Sequence, residues 1–229
     1  MALNAALVAI TLGAFWIGVF VTRRFGRTVG YSLKPLGFAV PKAGLLAGAG
    51  VGFLVGLGAL VTSMVVNPVS AFVLDRLGYS TESTVQQPFM QGLEIWVGES
   101  PAVAIPAMIG VVVILGPAVE ELIFRGVIFN GMYRVGGILS ANLGLSGPPM
   151  KTVRRAWFAI AAVLSSAFFA LLHFEPVILP ALVILAVALC LLFERTGSLL
   201  PPFVAHATFN SFATSIIILS GLGIFEVPI

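Results

Sequence analysis

The sequence predicts an all-α membrane protein, a polytopic bundle of about six spanning helices with room for an interfacial helix. Three observations predict it. Hydrophobic residues make up 59% of the 229 positions, and Asp, Glu, Lys and Arg together only 9%. A soluble domain of this length carries roughly 25% charged residues to cover its surface. The mean hydropathy is +1.10, and the apolar residues fall into runs of roughly 20, the length a helix needs to cross a bilayer.

Six such runs are read, at approximately 3–22, 43–66, 103–133, 156–175, 177–193 and 199–220. The first has no Lys or Arg ahead of it and is followed directly by Arg23, Arg24 and Arg27. A secretory signal peptide carries its positive charge before the apolar core, so this run reads as an uncleaved anchor with its N-terminus outside. The second contains Gly44, Gly48, Gly52 and Gly56, a stripe along which another backbone can approach. That stripe serves either packing within one bundle, the favoured reading, or a dimer seam. Between the second and third runs, loop 68–100 places Tyr79, Phe89 and Trp96 among polar residues, which suits a membrane interface. Neither a soluble domain nor a sequence repeat is visible, so residues 1–229 read as one integral membrane domain.

The charges orient the bundle. Ten of the 12 basic residues fall in loop 23–42, loop 134–155 and the turn at 194–198. These alternate loops share one side, which the positive-inside bias makes cytoplasmic. Asp75, Glu82, Glu94 and Glu99 lie on the other side, with both termini. The net charge of +3 is therefore a topology signal and not a nucleic-acid footprint. The lone Cys190 sits within an apolar run, which excludes a disulfide framework and a cysteine metal site.

Against this apolar background the ionisable residues within spans stand out, because each costs several kcal/mol to insert. The third run carries Glu120, Glu121 and Arg125, the fourth Phe169 and His173, and the last His206 and Asn210. Glu121 and Arg125 are four apart, share a helix face and can neutralise each other. Glu120 points about 100° away. Phe169 and His173 are four apart, as are His206 and Asn210. Three helices can thus aim Glu120, His173, His206 and Asn210 into one cavity. At ~1.5 Å per residue, Glu120 lies about 21 Å from Arg134, His173 about 27 Å from Arg155 and His206 about 16 Å from Arg195. The depths scatter, and His173 falls near the outer end of its span. The same polar residues could instead only fix helix register.

At these motifs the chain resembles the CPBP family of intramembrane peptidases, also called the Abi or CAAX-protease-like family. The resemblance rests on EELIFR at Glu120–Arg125, FALLH at Phe169–His173, HATFN at His206–Asn210 and the TGSLLPPFVAH approach to the last. It covers roughly residues 100–220. It implies a CAAX prenyl protease-like endopeptidase in which Glu120 is the general base activating a water that His173 holds. His206 and Asn210 would stabilise the oxyanion, with Glu121, Arg125 and Phe169 as structural support.

The residue types suit that chemistry: a carboxylate can accept the water's proton, and Asn and His are competent oxyanion donors. No Ser-His-Asp or Cys-His pair is apparent, and attack by water is the simpler route. No cofactor is favoured. A catalytic zinc on Glu120, His173 and His206 remains the alternative, without the His-Glu-x-x-His helix motif of many zinc peptidases. The resemblance implies a peptide or lipidated protein substrate. The expected setting is a prokaryotic cell membrane, with lipids as neighbours and no nucleic-acid partner; the oligomeric state is open. A proton-coupled transporter and a non-catalytic scaffold or bacteriocin immunity protein are the competing functions.

Overall fold

The computed structural model describes residues 33–82, 86–144 and 147–225. The predicted span 3–22 and the arginines that follow it lie outside the described residues. Within them the chain is helical with no strand, and five helices are long and apolar enough to cross a membrane. The helices are labelled α1 to α6 in chain order.

A 3-10 turn at Lys34–Leu36 leads to α1, Leu45–Arg76. Of α1's residues, Gly48, Gly52, Gly56 and Leu60 are buried, while Leu46, Leu54 and Val61 are open to lipid. The glycine stripe packs on α6, as a Cβ at Gly56 would sit 2.6 Å from the Ala205 carbonyl oxygen and 2.7 Å from Thr208 Cβ. It therefore serves packing within the chain, with Gly44 no part of it. Gly44 caps α1 at φ 91° with open space around it. The helix outruns its predicted end at 66, continuing through Pro68. A proline costs one backbone hydrogen bond, and the apolar stretch beyond it stays helical.

The segment read as an interfacial loop contains α2, Gln86–Glu99. At about 21 Å it is too short to span. It docks on the end of α6, where the Ser220 hydroxyl donates to Glu94 and Val97 is fully buried.

The longest helix, α3, runs unbroken over Pro101–Asn142, about 63 Å at the usual rise. It is wound more widely in two π-helical stretches, Ile109–Leu115 and Leu122–Phe129. In the first, the Gly116 amide bonds to the Val111 oxygen five residues back. The predicted span 103–133 is extended because the NGMYRVGGILSAN segment keeps its helical bonds, with Trp157 lying against Gly136.

Helix α4, Gly147–Leu171, begins nine residues before its predicted start at 156 and ends four before its predicted end at 175. The expectation that His173 lies within a span is thereby corrected: it stands in the turn after α4. Phe174 follows at φ 55°, the one positive-φ non-glycine residue among those described. Helix α5, Leu179–Thr196, is the most enclosed element, with Leu185, Ala186, Leu189 and Cys190 at 1% exposure or less. It stops at Gly197, φ 64°. Helix α6, Leu200–Gly221, enters on Pro201 and Pro202, whose missing amide hydrogens cost nothing in a first turn.

The basic segments meet at one end of the bundle, where Lys34, Arg134 and Arg154 line a common cleft. Asn130 and Arg134 both donate to the Pro35 carbonyl there, tying the 3-10 turn to α3.

Candidate active site

The polar residues cluster where the middle of α3 crosses α6 and the end of α4. Consecutive positions on α3 send the two carboxylates apart. Glu121 is fully buried, whereas the Glu120 side chain keeps 25% of its surface exposed. This divergence is the roughly 100° step between neighbours on a helix.

Glu121 is the hub of the buried half. Its Oε1 accepts from Arg125 Nη1 at 2.8 Å and faces His206 Nδ1 at 2.8 Å. A carboxylate only accepts, so the imidazole must carry its proton on Nδ1. Arg125 is itself fully buried, donates to the Ala186 carbonyl at 3.3 Å and stacks 4.8 Å from the centroid of the Phe169 ring. The pair is thus neutralised, hydrogen-bonded and covered by an aromatic face. A buried charge would otherwise be costly. Phe169 also meets His206 edge-on at 5.6 Å and His173 at 4.9 Å, holding both rings against one side chain.

The open half is a cavity of about 680 Å³ whose polar lining is Glu120, His173 and Asn210. Trp96 and Phe89 of α2, with Met108 and Val119 of α3, supply apolar wall. His173 Nδ1 donates to the Phe169 carbonyl at 3.0 Å, leaving Nε2 as the acceptor of the neutral ring. Asn210 Nδ2 donates to the Val112 carbonyl at 3.0 Å, in the first π-helical stretch.

Of the four residues proposed to share one cavity, three line it and His206 does not. His206 is 2% exposed and stands behind Glu120, with Nε2 3.7 Å from Glu120 Oε2. Glu121 carries more than the support role expected of it, since it orients His206 as well as neutralising Arg125. The wall from α2 was missed by sequence reading. Its one visible signal was the aromatic residues of loop 68–100.

For the zinc set that the sequence offered, Glu120, His173 and His206, the structure gives the hydrogen bonds of both rings. His206 Nδ1 is held by Glu121 and His173 Nδ1 by the Phe169 carbonyl, which leaves Nε2 of each ring without a hydrogen bond. Among the described residues no three His, Cys, Asp or Glu side chains stand together as a metal site.

A family model, type II CAAX prenyl endopeptidase Rce1-like, matches residues 102–212, a stretch that contains every one of these polar positions. No curated protein and no solved structure matches the chain.

Proposed function

Through residues 102–212 the chain belongs to the Rce1-like family of type II CAAX prenyl endopeptidases, and from that premise we propose that Glu120 is the general base of a peptide-bond hydrolysis. The protein is an integral membrane peptidase of the CAAX type. The observation that carries the finer reading is the meeting of Glu120, His173 and Asn210 on one otherwise apolar cavity.

In this reading a water sits between Glu120 and the free Nε2 of His173. The water oxygen attacks the scissile carbonyl carbon as Glu120 takes its proton. The resulting oxyanion accepts from the second amide hydrogen of Asn210. His206, fixed by Glu121 through Nδ1, packs behind Glu120, its Nε2 3.7 Å from that carboxylate. Collapse of the tetrahedral intermediate breaks the C–N bond, and Glu120 returns the proton to the leaving amine. The products are a carboxylic acid and an amine, which become a carboxylate and an ammonium once the acid's proton passes to the amine, and the balance closes without a co-reactant.

The apolar wall supports a substrate that brings hydrocarbon with it, a lipidated or membrane-embedded peptide. The basic end of the bundle faces the cytoplasm by the positive-inside bias.

The test is cleavage of a fluorogenic prenylated peptide by detergent-purified protein, with Glu120→Gln beside the wild type and each with and without a chelator. Loss of a general base lowers turnover by about 10²–10⁴. Wild-type cleavage that survives the chelator and disappears in E120Q is the expected result. Cleavage by E120Q at the wild-type rate, or activity lost to the chelator and restored by Zn²⁺, would overturn the mechanism.

A further inference from the structure

A second concavity, of about 500 Å³, lies at the basic end of the bundle, away from Glu120. Three helices build it. Tyr133 comes from α3, Lys151, Arg154 and Arg155 from α4, and Glu194 and Arg195 from α5. Four cations therefore face one carboxylate. Topology alone requires basic residues in these loops, but not that residues far apart in sequence converge on one hollow.

Several features make the hollow a site for an anion. Lys151, Arg154, Arg155 and Arg195 have no ion pair among the described residues. The first turn of α4 holds no acidic side chain to offset them. Arg154 is held ready: its Nη2 donates to the Tyr133 hydroxyl at 3.0 Å, and its guanidinium lies 5.8 Å from the Tyr133 ring centroid. An arginine so placed presents its remaining donors as a fork that matches phosphate oxygens.

Position and lining decide which anion. The hollow is at the ends of two membrane-spanning helices, Met150–Leu171 and Leu179–Thr196, where lipid phosphates lie. Phe158 and Leu191 give it an apolar floor that a free inorganic ion would not use. Glu194 repels a bare phosphate, yet it can accept from the hydroxyls of a headgroup such as phosphoglycerol. We propose that this hollow binds the headgroup of an anionic membrane phospholipid, with Arg154 and Arg155 on its phosphate and Glu194 on its hydroxyls.

The experiment is native mass spectrometry of the purified full chain, titrated separately with phosphatidylglycerol, phosphatidylcholine and inorganic phosphate. The expected result is saturable phosphatidylglycerol binding that phosphatidylcholine does not match and inorganic phosphate does not displace. Each cation removed should weaken binding about fivefold, and Arg154→Gln with Arg155→Gln together about 25-fold. Arg76→Gln, at the other end of α1, should change nothing. Should the double variant misfold, Tyr133→Phe, which frees Arg154 without removing charge, should weaken binding in the same direction. Equal binding of the two lipids, or phosphatidylglycerol binding unchanged in R154Q/R155Q or Y133F, would overturn the proposal. Displacement by equimolar inorganic phosphate would overturn the lipid assignment.

Discussion

Replacing Glu121 with Gln keeps its shape and removes one buried charge, which separates the stability of the site from its chemistry. Glu121 is fully buried and its Oε1 serves both Arg125 and His206 at 2.8 Å. In the variant the Arg125 guanidinium is left without a counter-charge, and breaking one side of a buried pair costs about 3–5 kcal/mol. Two contacts persist: the Ala186 carbonyl at 3.3 Å and the Phe169 face at 4.8 Å. Cation–π stacking in a desolvated setting contributes about 2 kcal/mol, but it is already present in the wild type and does not reduce the loss. The expected destabilisation is therefore about 3 kcal/mol or more. Denaturant titration in mixed micelles, followed by tryptophan fluorescence, reads it for E121Q, Arg125→Met and the double variant. Removing both charges leaves neither uncompensated, so E121Q/R125M should regain most of what E121Q loses. Peptide cleavage should stay impaired in the double variant, because a neutral amide holds the His206 Nδ1 proton less strongly than the carboxylate does. An E121Q protein as stable as wild type would refute the reasoning, and so would single-variant losses that simply add.

Other positions give independent checks. Gly56→Leu should disrupt the α1–α6 crossing and lower the unfolding midpoint clearly. Gly58→Leu, two residues on with nothing within 4 Å of its Cβ position, should leave the midpoint nearly unchanged. Asn210→Ala should cut turnover by about 10²–10³, the usual loss for one oxyanion donor, with little change in substrate affinity. Steady-state kinetics on the prenylated peptide would show the split, and a loss confined to KM would count against the oxyanion role.

Much of this molecule is written plainly in its residues, and the parts that are not share a physical cause. Apolar runs announce the helices, and a four-residue spacing announces the Glu121–Arg125 contact. The i, i+4 glycines of α1 foretell a close crossing, and packing against Thr208 and the Ala205 carbonyl places it inside the bundle. Helix ends are less legible. Hydropathy marks where lipid begins, whereas a helix ends where its backbone bonds stop, so α3 outruns its apolar core and α4 stops short of His173. The π-helical stretches leave no mark in composition, since a wider turn changes hydrogen bonding and not side-chain chemistry. Nor could spacing tell that His206 stands behind Glu120, because which face of α6 turns toward α3 depends on how both pack.

His173 shows how a helix end can serve chemistry. The last carbonyls of a helix lack intrahelical partners, and the His173 imidazole satisfies one of them, the Phe169 oxygen, through Nδ1 at 3.0 Å. Capping the helix therefore fixes the tautomer and leaves Nε2 as the nitrogen able to hold a water. The two ring nitrogens can be replaced separately. Asn places an amide nitrogen near the Nδ1 position and nothing at Nε2, while Gln reaches toward Nε2 and abandons the cap. His173→Asn should keep wild-type stability to within about 1 kcal/mol, the net worth of one hydrogen bond, and lose cleavage. His173→Gln should be less stable, yet retain more activity than H173N. Denaturation midpoints and single-turnover cleavage of the same preparations compare them directly. If H173N cleaves as well as H173Q, the water-holding role of Nε2 is wrong, and His173 serves the site only by closing the end of α4.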